Sequence, residues 1–447
     1  MEFEAFRQIV AEEAAARGID TYELYYQRED LTRVSAFGHE ITEFSDASEG
    51  GVSLRCMAEG HMGYASTESL TEESARALVR RAAESAAVIE KDEPEFLAES
   101  GQTYQTLPER DLSLPEAGAL TKLALAGQDA LYAEAGVVDG CGSDVYALRE
   151  KIAITNSNGL SVSCENAATV LMMMAVVADG EEKSTAFDQC NGTPESIDLA
   201  ALAAKAAGSA REKLGAGTPP SGTMPVVFSP RAMGSLLGTY SGIFSAENVL
   251  KGLSLLKDKE GSTIASEAVT LVDDPFYKDS TMPMPFDAEG TPAFEKNVIE
   301  HGVLKTLLYD LSSAAAMGKT TTGNAARRSY ADKIGVRPFT MRLETGTYSE
   351  DELLQKAGSG IYIDSLDGLH AGANPISGDF SLQSGGFLIE GGKKAAPVRS
   401  FTVAGNFFAL LQNITAVADN PRPPMGIGST AFVSPSVLVQ GLSIAGK

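Results

Sequence analysis

Apolar residues recur every three to four positions at the start of the chain and every second position soon after, so the pattern switches from helix to strand within the first 25 residues. Phe3, Phe6, Ile9, Val10 and Ala14 share one helical face across 3–17, with Gly18 as the stop. Segments 22–27, 31–37, 51–57 and 61–65 then alternate and predict strands of a meander. Ser69 and Glu72 form a capping-box pattern ahead of a stripe of Ala75, Leu78, Val79, Ala82, Ala86 and Ile89. Residues 91–111, acidic and broken by Pro94 and Pro108, predict a connector. A third helix is predicted from Ser113 and Glu116, with Pro115 in its first turn. Between 151 and 177, Asn158-Gly159 predicts a hairpin, and Met172, Met173 and Met174 predict core strand. A helix over about 194–214 ends at Gly215.

The stretch GAGTPPSGTMP, residues 215–225, predicts a linker. Beyond it Ser229 caps a helix with Pro230 at its first position, running to about Tyr240. Segments 269–272, 303–309, 360–363, 386–390, 398–403 and 431–440 predict strands, and Gly391-Gly392 predicts the turn between two of them. No repeat of 20–50 residues is present. This is a mixed α+β chain of two domains, 1–215 and 222–447, the second rich in strands.

Charge sharpens that division. The net charge is −24, with 38 acidic and 17 basic residues up to 215 and 22 acidic and 19 basic residues after it. Acidic helices of the first half face water, and neither half has the basic balance that nucleic acid requires. No run of 18 apolar residues predicts a membrane span, and the acidic, amphipathic N-terminus lacks the pattern of a secretion signal. Cys56, Cys141, Cys164 and Cys190 lie far apart, which fits a reducing cytoplasm without a disulfide framework.

Several chemistries are excluded by residue type and spacing. The chain has no GxSxG nucleophile elbow. Gly318-Lys319-Thr320 ends like a phosphate loop, but Ser313 stands where its first glycine belongs. Asp273 and Asp274 are consecutive on an extended chain and point to opposite faces, which predicts a turn or cap role. The four histidines, His39, His61, His301 and His370, are more than five residues apart. His39-Glu40 begins like a zinc motif, but the next turn offers Glu43 and Phe44. His301-Gly302, between two apolar runs, predicts a turn.

Five blocks carry a resemblance. They are 229–250 (SPRAMGSLLGTYSGIFSAENVL), Asp287–Pro292 (DAEGTP), 297–304 (NVIEHGVL), 321–327 (TTGNAAR), and the glycine-rich stretch 370–413 with Asn374-Pro375 and Ser377-Gly378-Asp379-Phe380-Ser381. Together they closely resemble the TldD/PmbA family, on its PmbA (TldE) side. The resemblance spans nearly the whole chain and is most specific from about 270 to 420. It implies an N-terminal α+β layer domain and a C-terminal barrel-like domain. Family members of the TldD type carry a His-Glu pair, a second histidine one turn on, and a late cysteine that takes part in metal binding. Here the corresponding turn reads Tyr240-Ser241-Gly242-Ile243-Phe244-Ser245, and no cysteine follows Cys190.

The resemblance therefore implies a non-catalytic subunit of a heteromeric metallopeptidase. It implies no metal bound by this chain and zinc in a TldD-type partner. Implied substrates are unstructured peptides, such as leader peptides of modified peptides and antitoxins, and the family's association with DNA gyrase would be indirect. The residues expected to contact substrate or partner are Asn374, Ser377, Gly378, Asp379, Ser381, Gly405 and Asn406. The alternatives are a stand-alone homodimeric peptide-binding or chaperone-like protein, and an autonomous hydrolase using dispersed residues.

Overall fold

The computed structural model describes residues 1–89 and 95–447. The positions from Glu90 to Pro94, which include the first part of the expected connector, lie outside the described residues.

In the first half, helix α1 (Phe3–Ala16) leads into strands β1 (Tyr22–Phe37), β2 (Glu40–Ala58) and β3 (His61–Thr67) and then helix α2 (Glu72–Ala86). The same order repeats in helix α3 (Ala117–Tyr132), strands β4 (Gly142–Asn156), β5 (Ser161–Asp179) and β6 (Glu182–Asn191), and helix α4 (Leu199–Arg211). The six strands form one antiparallel sheet in the order β3-β2-β1-β4-β5-β6. β1 and β4 pair along nearly their whole length, from Glu23 opposite Asn156 to Phe37 opposite Gly142. The half is thus two copies of one α-βββ-α unit joined back to back. Each copy spans about twice the repeat lengths that a periodicity search covers.

Alternation decides which face each residue meets. Leu24 on β1 and Val52, Leu54 and Cys56 on β2 pack under Phe6, Val10, Leu78 and Val79 of α1 and α2. Val145 and Ala147 on β4, with Leu171 and Met173 on β5, pack under α3 and α4. The opposite face carries Tyr25, Ile152, Ile154 and Cys164, which meet Met284, Phe286 and Phe339 of the second half.

Several expected boundaries move. Segments 22–27 and 31–37 are one long strand, because pairing with both neighbours carries β1 through its charged middle. The cap of α2 is Thr71 with Ser74, not Ser69 with Glu72. α3 starts at Ala117 with Glu116 at its N-cap and no side-chain cap. α4 starts only at Leu199, where Asp198 caps it.

The second half opens with strand β7 (Gly222–Phe228), helix α5 (Pro230–Tyr240), a 3-10 turn over Ser241–Phe244 and helix α6 (Ala246–Leu250). Short strands β8 (Leu271–Asp274), β9 (Lys296–Glu300) and β10 (Val303–Leu304) follow, then helix α7 (Leu311–Ala316) and strands β11 (Ala325–Ala326), β12 (Gly335–Val336) and β13 (Thr340–Leu343). Helix α8 (Glu350–Ala357), strand β14 (Gly360–Asp367) and helix α9 (Leu369–Gly372) precede the long hairpin β15 (Asp379–Glu390) and β16 (Lys393–Asn406). Helix α10 (Phe407–Gln412), β17 (Ile414–Val417), β18 (Ala431–Val433) and β19 (Val437–Ala445) complete the chain.

β7, β14, β15, β16 and β19 close into a five-stranded barrel, since β16 pairs with β19 as well as with β15. Val226, Phe228, Ile361, Ile363, Val437 and Val439 face the large core that holds α5. The alternate residues Val227, Tyr362 and Leu438 face α8. A second sheet, β10-β9-β8-β13-β18, lies beside the barrel, and β18 reaches α5. The glycine turn at Gly391-Gly392 stands where it was expected, and both residues have positive φ. Segment 303–309 is strand only over Val303–Leu304, with Leu308 in an isolated bridge to Ser245, and segment 431–440 is split by Pro435 into β18 and β19. The expected linker is pinned rather than free: Gly217 exchanges backbone hydrogen bonds with Pro397 and Arg399 of β16. No helix among the described residues is long and apolar enough to cross a membrane.

Candidate functional site

Two of the family-like blocks, Asp287–Pro292 and 321–327, meet the first half at the seam between the halves. Asp287 accepts the backbone N–H groups of Glu289, Thr291 and Ala325, each at 2.9 Å, and so fixes the acidic-glycine turn. That turn delivers Glu289 to the sheet of the first half. Its Oε2 accepts the Leu311 amide at 2.8 Å, and its Oε1 lies 3.5 Å from Arg55 Nη1. Arg55 on β2 grips Glu23, its cross-strand neighbour on β1, at 2.8 and 3.1 Å. Arg327, which ends the polar loop 321–327, donates to Ser53 Oγ at 2.9 Å and lies over the Tyr25 ring at 4.7 Å. Glu23, Arg55 and Glu289 are each 1–3% exposed. Burial pushes the Glu289 carboxyl well up, against the pull of Arg55 and with the push of Asp287 and Asp310. Burial also raises Asp287 to about 7 despite its three amide donors. Arg55 is held firmly charged, because Glu23 and Glu289 more than offset its desolvation.

Asp273 corrects the sequence reading. It is not a turn former but the buried end of a network, accepting Lys296 Nζ at 3.0 Å, Asn324 Nδ2 at 2.7 Å and the Phe339 amide at 2.7 Å. A lysine 23 positions further on in the sequence gave no local signal of this. Asp274 does take the turn role, accepting the Phe276 amide at 2.9 Å.

The α5–α6 junction does not fit a metal ion. The Tyr240 ring stacks on Phe407 with centroids 4.4 Å apart, and its hydroxyl donates to the Asp379 carbonyl at 2.9 Å. Ser241 Oγ donates back to Gly238 O, and Asn248 Nδ2 donates to Gly242 O. Ile243 and Phe244 are buried in the core. A Cβ at Gly238 would lie 3.0 Å from the Phe432 ring, so that position has no room for a ligating side chain without a shift of β18. The histidines stand in four separate places. His39 is in the β1–β2 turn, 4.3 Å from the Tyr132 ring; His61 opens β3; His370 lies in α9. His301 sits at φ 46° in the β9–β10 turn, as expected. Among the described residues no three His, Cys, Asp or Glu side chains are placed to hold a metal ion.

The seven residues expected to make contacts do come together, around the end of α5. Asn374 Oδ1 accepts the Ile376 and Ser377 amides, and Ser377 Oγ donates to Asp379 Oδ2 at 2.8 Å. Asn406 Nδ2 donates to Ser377 O and Asp379 Oδ1, while its Oδ1 caps α10. Hydrogen bonds from Asn406 and Ser377 hold the Asp379 carboxyl below its usual range. Gly378, at φ 83°, lies so close to Phe408 that a Cβ would be 2.7 Å from the ring. Gly405 abuts Leu442 and Phe380, and Ser381 stands exposed on β15. Most of these polar groups are engaged with one another, and Ile376 beside them is exposed.

Two clefts open along the seam, and none of these seven residues lines either. The larger, about 930 Å³, is walled by Asp188–Asn191 of β6, Lys278, and Arg422. There Asp188 is buried and holds Lys205 at 2.9 Å and Arg422 at 2.5 Å. The smaller, about 440 Å³, lies over β1 and β4 between Glu29, Glu150 and the 427–430 loop. Arg55, Glu23, Glu29 and Glu150 escaped the sequence reading because nothing local distinguishes a buried charge on an alternating strand from an exposed one. The one available sign was a charged residue at an otherwise inward-facing position of β1.

Residues 221–446 match the family described as PmbA/TldA metallopeptidase C-terminal domain, and residues 22–86 match PmbA/TldA metallopeptidase domain 1. A metalloprotease of Methanothermobacter thermautotrophicus is 31% identical over 303 residues, covering 66% of each chain. A metalloprotease PmbA homolog of Haemophilus influenzae is 24% identical over 416 residues, covering 91% of this chain and 89% of its own. The crystal structure of TldE from Thermococcus kodakarensis superimposes with a TM-score of 0.88 at 25% identity, over 99% of this chain and 100% of the other.

Proposed function

The chain belongs to the PmbA/TldD metallopeptidase family, and from that premise we propose that it is the subunit of a two-chain TldD/TldE-type peptidase that binds substrate without carrying the metal. The observation that carries this reading is the α5–α6 junction. Its turn presents a tyrosine engaged with a backbone carbonyl, small residues and buried apolar side chains where a metal-bearing member needs ligands. Zinc, in this reading, is held by the partner and supplies the Lewis acid and the activated water.

The contribution of this chain is to hold an extended, unstructured peptide. β6 is an edge of its sheet, and residues Asp188–Asn191 wall the larger cleft. Main-chain pairing to such an edge gives affinity with little demand on sequence. The knitted loop of Asn374, Ser377, Gly378, Asp379 and Asn406, with exposed Ile376 and Ser381, is the surface offered to partner or substrate. Gly405 backs this loop. Exposed Leu250 at the end of α6, with Leu253 and Leu255 beyond it, extends an apolar surface for a neighbouring chain. Leader peptides and antitoxin-like chains are the substrate class this role suits, and the cytoplasm is where they would be met.

The test is cleavage of an unstructured peptide by this chain alone, by a TldD-type chain alone, and by the two together, with and without chelator. Activity confined to the mixture and lost on chelation is expected. Chelator-sensitive cleavage by this chain alone would overturn the reading. Peptide binding by a stable homodimer, with no activity in the mixture, would favour the stand-alone binding protein.

A further inference from the structure

Strand β2 is much longer than the strand that covers it. It runs over Glu40–Ala58, but β3 pairs with it only from Val52, opposite Thr67, to Ala58, opposite His61. No strand among the described residues pairs with the outer edge of 40–50. The alternation of an antiparallel ladder fixes which backbone groups are left over. The Met57 amide donates to Thr21 O, so the odd-numbered residues of β2 bond to β1 along the shared register as far as Glu43. Phe44, Asp46 and Ser48 therefore turn both N–H and C=O away from β1, and all three residues are exposed. None of these backbone groups has a hydrogen-bond partner among the described residues. An open edge of this kind is a template for another chain.

We propose that residues 43–49 of β2 take up, as an added strand, an extended segment of an unstructured chain rich in lysine or arginine. The backbone groups of Phe44, Asp46 and Ser48 supply the pairing, which is indifferent to the side chains of the incoming chain. The side chains of the edge choose its charge. The run 40–50, EITEFSDASEG, holds four acids and no lysine, arginine or histidine. Glu43 pairs with Arg33 at 3.2 Å, whereas Glu40, Asp46 and Glu49 make no ion pair among the described residues. Asp46 stands opposite Thr32 and Glu49 opposite Glu29, so the two acids lie on opposite faces of the sheet and meet basic side chains on both faces of an added strand. Phe44, 51% exposed, offers the one large apolar contact. A second copy of this chain is the occupant these residues disfavour. Two β2 edges laid antiparallel would set acid against acid, so the charges that keep a copy away select a partner of opposite sign.

The site lies across the sheet from β6, and its binding is measured on this chain alone, so it stands or fails apart from the accessory-subunit reading. The experiment is fluorescence anisotropy with a labelled peptide of about ten residues of lysine, threonine and valine, carrying lysine on both faces of its strand. Two further probes replace its lysines by glutamate or methylate alternate backbone nitrogens. The lysine peptide is expected to bind, more weakly as salt rises from about 50 to about 300 mM. The glutamate peptide and the methylated lysine peptide should each bind at least about tenfold more weakly. D46N/E49Q should weaken the lysine peptide about threefold to tenfold. S48P removes an outward N–H and no ladder bond to β1, so it should weaken the peptide at least about tenfold with little change in melting temperature. Equal binding of the plain and methylated lysine peptides would mean charge attraction without strand addition, and would overturn the proposal. So would binding of the glutamate peptide as tightly as the lysine one, no binding of any probe, or affinity unchanged in D46N/E49Q. Self-association of this chain that S48P abolishes would put a second copy at the edge and overturn it as well.

Discussion

The Tyr240 hydroxyl donates to the Asp379 carbonyl at 2.9 Å while its ring stacks on Phe407 at an interplanar angle of 11°. One side chain thereby ties the end of α5 to the start of β15, just after the Asn374 loop, and to the start of α10. Y240F keeps the stack and removes the donor, leaving a backbone acceptor of the loop without that bond. A loss of about 1 kcal/mol is expected in urea unfolding. Y240A removes the ring from a fully buried site and should cost about 3–5 kcal/mol. A Y240F loss as large as that of Y240A would mean the hydroxyl, not the stack, fixes the loop.

Gly378 is required by two independent constraints. Its φ of 83° lies in the left-handed region, and a Cβ would approach the Phe408 ring to 2.7 Å. G378A should therefore destabilise by about 1–3 kcal/mol, read as a lower denaturation midpoint with unchanged slope. F408A relieves the steric part only, so the double variant should recover part of the glycine effect and keep the backbone part. Full additivity of the two losses would count against the contact.

The sequence made the local grammar of the fold legible and left its long-range chemistry hidden. The apolar stripe of α1, the Ser229-Pro230 start of α5 and the Gly391-Gly392 turn are signals confined to a few residues, and they stand where they were expected. The loop at Asn374–Asp379 was legible as a cluster because Asx and glycine turns are written locally. Arg55 with Glu289, and Asp273 with Lys296, are partners brought together only by the seam and by strand pairing. Asp273-Asp274 read as a turn because only half of that pair is one. The α-βββ-α duplication was hidden because its two copies share an element order over about 100 residues, not a short repeated motif.

Glu150 ties stability to pH with an unusual sign. Its carboxyl, pushed up to about 7 mainly by burial, favours the protonated form in the folded chain more than in the unfolded one. The stability this contributes is fully present below about pH 4.5, the usual range of a glutamate, and is lost as pH rises through 7. E150Q, which is neutral throughout, should therefore be more stable than the parent at pH 8, by about 1–2 kcal/mol for a half-buried group. The gap should close toward pH 5. Melting temperatures of the two proteins across that range check it, and a gap that widens in acid would reverse the assigned sign.

Arg55 is the group on which the seam's charge balance turns. It is 3% exposed, grips Glu23 with two nitrogens and lies 3.5 Å from Glu289. R55M fills much the same space but removes the cation shared by buried Glu23 and Glu289 and leaves Glu23 only Arg327, at 3.8 Å, so a loss of about 3–5 kcal/mol is expected near pH 7.5. E23Q/R55M removes one of those charges and should be less damaged than R55M alone, because breaking a buried pair is worse than replacing it. Glu289 sets the pH dependence. Its carboxyl is already raised by burial, so it accepts a proton readily once Arg55 is gone. The R55M defect should shrink as pH falls from 8 to 5 and grow as pH rises, the sign expected of a group whose folded pKa lies above its unfolded one. Denaturation of R55M and E23Q/R55M at the two pH values measures both effects, and an R55M loss independent of pH would show that Arg55 acts through packing instead of charge.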